Sequence, residues 1–179
     1  MPLEARESLG RALAAEGNQS GALAEYQTAL RADPGYTQAR CDLGSALLAR
    51  GDLNEAIAQF QTAVRRDAAS PQAQNDLAVA LWRQNGASAA EPAIHHLEQA
   101  LSLNPAYPLA RTNLGIILMQ VPGRRSEAIE LFSAALQMEP ADAAAYLGLG
   151  NVNAARQLVP DPERLRQLQV PRTDDGTAQ

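Results

Sequence analysis

The chain has 179 residues with a formal net charge of −5 and a pI near 5.0, so a nucleic-acid surface, which needs clustered basic charge, is disfavoured. It is 46% apolar but only 4% aromatic, which suits alanine-rich helices meeting at close range better than a sandwich or barrel. No run of 18 or more apolar residues exists and MPLEARESLG has neither a basic leader nor an apolar stretch, so no membrane span and no signal peptide are expected; a lone Cys41 cannot form an internal disulfide, and a cytoplasmic setting follows.

In chain order, residues 3 to 15 read as a first helix, and Gly17-Asn18 turns into a second that runs to about Ala32, where Asp33-Pro34-Gly35 stops it. The next unit, Thr37 to Ser70, is the clearest. Ala39, Leu43, Ala46 and Leu47 recur at helical spacing, Gly51 ends the helix, and Asp52 with Glu55 resembles a capping box for a second helix. That second helix carries Ala56, Ile57, Phe60, Ala63 and Val64 on one face. Ser70-Pro71 opens a third unit, with Ser as cap and Pro at the first helical position. Its turn is the longest: Asn85-Gly86 turns the chain, Ser88 and Glu91 read as a capping box, and the helix that follows is expected to start near Ala89, tolerate Pro92 in its first turn and run about one turn longer than its siblings. A fourth unit starts at Pro108 and turns through Val121-Pro122-Gly123, with Arg124 and Arg125 exposed beside it. After Asp142, a cap, residues 143 to 157 open a fifth unit, Pro160 and Pro162 interrupt, a short helix over 162 to 169 covers the last apolar face, and 171 to 179 are disordered.

These units are copies. Leu9-Gly10, Leu43-Gly44, Leu77-Ala78, Leu114-Gly115 and Leu149-Gly150 stand 34, 34, 37 and 35 residues apart. Ala22, Ala56, Ala93 and Ala128 form a second column, with Tyr26, Phe60, Leu97 and Phe132 four residues on and Ala29, Ala63, Ala100 and Ala135 three beyond those; Pro34, Ala68, Pro105 and Pro140 close each unit. This order at this period resembles the tetratricopeptide repeat, with four full repeats (3–36, 37–70, 71–107, 108–142) and a partial fifth (143–157) in a solenoid over 1–170. The departures are Arg6, Arg40, Gln74 and Arg111 where the family often has Trp, and Ala68 in place of the closing Pro.

The resemblance implies an all-α fold, a right-handed superhelical solenoid of antiparallel helix pairs, whose first helices line a concave groove. Carried over residue by residue, the lining is Glu4, Glu7, Ser8 and Arg11, then Gln38, Cys41, Asp42 and Ser45, then Gln72, Asn75, Asp76, Val79, Trp82 and Arg83, then Leu109, Thr112, Asn113, Ile116, Met119 and Gln120, and finally Leu147 and Asn151. Two groups stand out as partner-binding. Asp42, Asp76 and Asn113 each precede their Leu and form a polar column able to bond an extended peptide, similar to the asparagine ladder of glycosyltransferase-linked arrays; ordinary solvated polar residues are the alternative. Val79, Trp82, Leu109, Ile116 and Met119 form an apolar cluster suited to anchor side chains, unless Trp82 simply packs under the long turn.

No catalytic residue, cofactor or metal is assigned. His95 and His96 are adjacent on a helix, so their side chains diverge by about 100° and do not share a metal; one solvent-facing and one part-buried histidine is expected. No Gly-rich phosphate loop, H-E-x-x-H or nucleophile elbow occurs, and Cys41 has no base partner in sequence.

The expected function is therefore non-enzymatic protein binding: a scaffold or adaptor that holds a peptide or helix with basic or polar residues at one end and apolar anchors at the other. An acidic chaperone C-terminus is excluded, because the clamp positions hold Glu7, Arg11, Asp42, Gln72 and Asp76. A permanent structural subunit using its convex face or termini is the alternative, and single-stranded RNA binding is disfavoured by charge.

Overall fold

The computed structural model describes residues 1–142, 144, 145 and 147–149. Among these, eight α-helices follow one another: α1 (Leu3–Ala15), α2 (Gln19–Ala32), α3 (Thr37–Arg50), α4 (Leu53–Arg66), α5 (Pro71–Asn85), α6 (Ala90–Leu103), α7 (Pro108–Leu118) and α8 (Arg125–Met138). Residues 144, 145 and 147–149 are helical as well and begin the next first-type helix. The rest of the partial fifth repeat, the short helix expected over 162–169 and the tail 171–179 lie outside the described residues.

Each odd-numbered helix packs antiparallel against the even-numbered helix after it, and each pair stacks on the next. The odd-numbered helices also touch one another, α1 with α3, α3 with α5 and α5 with α7, whereas no such approach joins α2 to α4, α4 to α6 or α6 to α8. First helices crowded together and second helices spread apart put α1, α3, α5 and α7 on the inner side of a curved array. The fold is a helical solenoid, and its core is a string of buried columns rather than one centre.

The Leu-Gly column has a steric cause. A Cβ at Gly10 would lie 2.5 Å from Cε1 of Tyr26, at Gly44 2.5 Å from Cε1 of Phe60, and at Gly115 2.7 Å from Cε1 of Phe132. The aromatic ring of the second helix lies on bare backbone of the first. In the third repeat the second-helix residue is the smaller Leu97, and the first helix carries Ala78 instead; both are fully buried. The small columns Ala22, Ala56, Ala93, Ala128 and Ala29, Ala63, Ala100, Ala135 are likewise fully buried.

Each unit closes with an extended residue after its second helix: Asp33 (φ −136°), Asp67 (φ −138°), Asn104 (φ −134°) and Glu139 (φ −131°). A following proline disfavours the helical region there, yet Asp67 takes the same conformation before Ala68. Its side chain supplies the reason. Asp67 Oδ1 accepts from the Ala69 amide at 3.1 Å, as Asp33 Oδ1 does from Gly35 at 2.7 Å and Asn104 Oδ1 from Ala106 at 3.0 Å.

The caps divide. Ser70 accepts from the Ala73 amide at 3.2 Å, and Asp142 from the Ala145 amide at 3.0 Å, as expected. Gly51 takes the left-handed conformation, φ 95°, at the end of α3. Asp52, by contrast, makes no cap bond to α4: its carboxylate is held by Arg50 Nε two residues away across the turn. The expected capping box at Ser88 and Glu91 does not form either. The inserted residues fold as a 3-10 turn over Gly86–Ala89, and α6 has 14 residues, the same as α2, α4 and α8. Arg124, expected to be exposed, is half-buried and chelates Glu127 at 2.9 and 2.7 Å.

The residues standing where the family often has Trp reach to the second helix of their own repeat. Arg6 pairs with Glu25 at 2.9 Å, Arg40 donates to Gln59 at 3.0 Å, and Gln74 Oε1 lies 2.7 Å from His96 Nδ1. A polar bond thus replaces an indole at one point of the hairpin. This also accounts for the histidines: His95 is exposed, His96 is half-buried, and burial together with neighbouring His95 pushes the His96 pKa down.

Candidate functional site: the concave groove

The groove is built on α1, α3, α5, α7 and the helical residues 144–149, and its character changes along the array. At the N-terminal end it is lined by a polar network of paired charges. Arg11 reaches across to α3, with Nε 2.9 Å from Asp42 Oδ2 and Nη2 3.4 Å from Asp42 Oδ1, and also pairs with Glu7 at 3.0 Å. Gln38 Nε2 adds a bond to Asp42 Oδ1 at 3.4 Å, and the Tyr36 hydroxyl donates to Glu7. Burial raises the Asp42 pKa, and Arg11 pulls it back. The acidic stretch anticipated from Glu7 and Asp42 is therefore compensated from within.

Glu7, Cys41, Asn75 and Thr112, placed in the lining by spacing, are all buried. They sit one residue further round their helices than the Asp42 column, and in the first and fourth repeats the residue preceding the next first helix bonds to that line, while Cys41 packs with Ala63 and Ala73. Tyr36 bonds Glu7, and Thr112 donates to Asp142. Burial pushes the Cys41 thiol up to about 12, which leaves it protonated and inert at neutral pH.

In the middle of the groove the polar column is linked sideways. Asn113 Nδ2 donates to Asn75 Oδ1 at 2.8 Å, and Asn75 Nδ2 donates to Asp76 Oδ1 at 3.0 Å. Asp76 and Asn113 are thus joined through a buried residue between them. Asp76 is the unusual member. Burial pushes its carboxyl up to about 6, bonds from Asn75 and Gln72 act against that, and the charge that reaches it is the like charge of Asp42. Tyr107 lies close by, its hydroxyl raised to about 12 by burial first and by Asp76 and Cys41 after that.

The C-terminal end is apolar and open. Ile116, Met119 and Gln120 of α7, Phe132 of α8, and Ala144, Leu147 and Gly148 line a cleft of about 300 Å³. Leu147 is 69% exposed, Leu109 50% and Ile116 37%. Gly148 occupies the place that Asp42, Asp76 and Asn113 hold in earlier repeats, and a Cβ there would lie 2.3 Å from Phe132 Cζ. Of the apolar residues anticipated from sequence as lining, the structure brings Ile116, Met119 and Leu147 together in this cleft. Leu109 stands two turns before Ile116 on α7 and outside the cleft lining. Val79 is half-buried, and Trp82 packs with Met119 against the core around Leu97, Leu114 and Phe132. Phe132 is not legible as lining because it belongs to a second helix, and Ala144 and Gly148 carry too little side chain to stand out beside Leu147, which spacing does place there.

Among the described residues no group of three His, Cys, Asp or Glu side chains is placed to hold a metal, and no helix is long and apolar enough to cross a membrane.

Paired helices stacked around an inner groove define a helical-hairpin repeat scaffold. The sequence matches the TPR repeat family over residues 44–85 and the tetratricopeptide repeat family over residues 2–37 and 123–161. The chain belongs to the tetratricopeptide-repeat family, whose members are generally protein-interaction modules rather than enzymes. No curated protein matches it. Among solved structures it is similar to MamA, with 25% identity over 89% of this chain and 92% of that one and a TM-score of 0.69. It also resembles TTC0263, a thermophilic TPR protein of Thermus thermophilus, with 24% identity, coverage of 94% and 95% and a TM-score of 0.72. YrrB, a TPR protein with an unusual peptide-binding site, is 22% identical with coverage of 96% and 86% and a TM-score of 0.64. For these last two the likeness is one of fold.

Proposed function

We propose that this chain is a cytoplasmic scaffold or adaptor that binds a partner peptide or helix along its concave groove, with bulky apolar side chains of the partner seated between Ile116, Met119 and Leu147. The observation that carries this reading is the open apolar cleft of about 300 Å³ at one end of a groove at whose other end the acids Glu7 and Asp42 are already paired with Arg11. Apolar side chains left in water beside a fully buried ring, Phe132, are what an anchor-binding pocket requires. The peptide-binding site of YrrB supports the capacity of this fold for such a ligand. Asp76, Asn113 and Val79 continue the track toward the N-terminal end, where a partner carries polar or basic residues rather than acids. The net charge of −5 weighs against nucleic acid.

Affinity purification from the source cell tests this with three baits: the wild-type chain, Ile116→Glu in the cleft, and Gln61→Glu on the outer face of α4. Partners captured by wild type and by Gln61→Glu and lost with Ile116→Glu are expected. A partner set unchanged by Ile116→Glu and lost with Gln61→Glu replaces groove binding with a structural subunit that docks through its convex face.

A further inference from the structure

Asp42 and Asp76 hold the same place in consecutive repeats, each one residue before its Leu and four after a bonding glutamine, Gln38 or Gln72. Their surroundings differ in one respect. Asp42 is met by Arg11 from the preceding first helix, a step of 31 residues, through Nε and Nη2 at 2.9 and 3.4 Å. The same step from Asp76 leads to Ser45, an exposed residue on α3, whose hydroxyl carries no charge. Both pairs of first helices are in contact, α1 with α3 and α3 with α5. Among the described residues Asp76 has no cationic partner, and its bonds come from the neutral amides of Asn75 and Gln72.

A mostly buried carboxylate without a counter-charge costs stability, and such a group persists where something outside the chain completes it. Resting on the groove reading above, we infer that the groove holds a cation subsite at Asp76, in which an arginine guanidinium of the bound partner takes the place over Ser45 that Arg11 takes beside Asp42. Arginine suits it better than lysine, because the internal pair uses two nitrogens of one planar group against two carboxylate oxygens. The apolar cleft, between the fourth and fifth repeats, lies two repeat steps toward the C-terminal end from this position between the second and third, so the partner segment carries its arginine on one side of its apolar anchor and separated from it. Asn113, which follows Asp76 in the column, is neutral and provides no second cation position.

A random peptide library displayed on phage and selected on the full-length chain provides the probe. Selected peptides are expected to carry arginine and, several residues away along the chain, a bulky apolar residue. Replacing that arginine by citrulline, which has nearly its shape without the charge, should weaken binding to wild type about tenfold. On Asp76→Asn, and on Ser45→Arg, which builds the missing pair internally, the same replacement should make no difference. Selected peptides without arginine, or a citrulline penalty that persists on both variants, overturn the subsite. If Ile116→Glu still abolishes binding in that case, the groove reading stands without it; if Ile116→Glu is also without effect, both fail. A library that yields no binder overturns the subsite as well. Carbon NMR of the Asp76 carboxylate in the free chain closes the remaining route: a titration at or below the ordinary aspartate range shows that an arginine of the chain itself holds the position, and the partner's role is overturned.

Discussion

Gly44 of α3 lies so close to Phe60 of α4 that a Cβ on the glycine would stand 2.5 Å from Cε1 and 2.7 Å from Cζ of the ring. Phe60 is fully buried, so the ring has no free volume into which to retreat. Gly44→Ala should therefore destabilise the chain by about 1–3 kcal/mol, despite alanine's better helix propensity. The third repeat shows the remedy, Ala78 facing Leu97. Phe60→Leu alone should leave a gap, whereas Gly44→Ala combined with Phe60→Leu should recover much of the loss. Urea denaturation of both single variants and the double gives the coupling, and additive effects would contradict a direct contact.

The same pair shows how far the sequence carries. The Leu-Gly and alanine columns reveal helix boundaries and pairing because they report contacts within one hairpin, whose geometry is set by local periodicity. The contacts that define the groove are not of that kind. Arg11 with Asp42 joins neighbouring repeats, and Glu7 bonds Tyr36 at the entry to the next first helix, so whether Glu7 points into the groove or under the next repeat depends on the rotation between hairpins. Spacing places Glu7, Cys41, Asn75 and Thr112 in the lining, one helical position away from where burial puts them. Tyr36 and Asp142, each just before a first helix, are the signal that Glu7 and Thr112 are covered. At Asp52 the cap suggested by sequence is not made, because Arg50 competes for the same carboxylate across a two-residue turn.

That competition separates two helix starts that look alike in sequence. Asn18 Oδ1 accepts from the Gly21 amide at 3.0 Å and caps α2, while Asp52 makes no such bond to α4. Asn18→Ala should cost about 1 kcal/mol, and Asp52→Ala distinctly less, since an exposed ion pair contributes little. Thermal unfolding followed by circular dichroism ranks the two, and an equal or larger loss at Asp52 would mean that its carboxylate caps α4 in solution.

Trp82 and Ile116 should separate stability from binding. Trp82 packs on the core around Leu97 and Leu114, so Trp82→Ala should lower stability by about 2 kcal/mol, below the range for a fully buried indole. Ile116 is 37% exposed in the cleft, and Ile116→Ala should change stability by no more than about 0.5 kcal/mol. With a groove-selected peptide, Ile116→Ala should nevertheless weaken binding, mainly through faster dissociation. Calorimetric unfolding together with surface-plasmon binding kinetics measures both effects, and a peptide that dissociates at the wild-type rate from Ile116→Ala would remove that residue from the anchor site.

Asp76 makes a pH prediction whose sign is the reverse of the usual carboxylate. Burial holds its folded-state pKa up at about 6, above the ordinary value of 3.8, so between these values the folded chain binds the proton that the unfolded chain has lost. Its effect on stability is absent below pH 3.8 and appears as a loss as pH rises to about 6, on the order of 2–3 kcal/mol, constant above that. The facing groups do not blur the window. Cys41 and Tyr107 are raised to about 12 and stay neutral throughout, and Asp42, raised by burial and drawn back by Arg11, is common to both chains compared. Asp76→Asn, which places here the side chain that Asn113 already has one repeat on, should leave stability near pH 4 unchanged and raise it near pH 7 by the same 2–3 kcal/mol. Urea denaturation of the two chains at both values is the measurement. A gain at neutral pH with a loss of peptide binding is what a carboxylate kept for a ligand predicts, and equal stabilities at both pH values would mean that the charge is already compensated in the free chain.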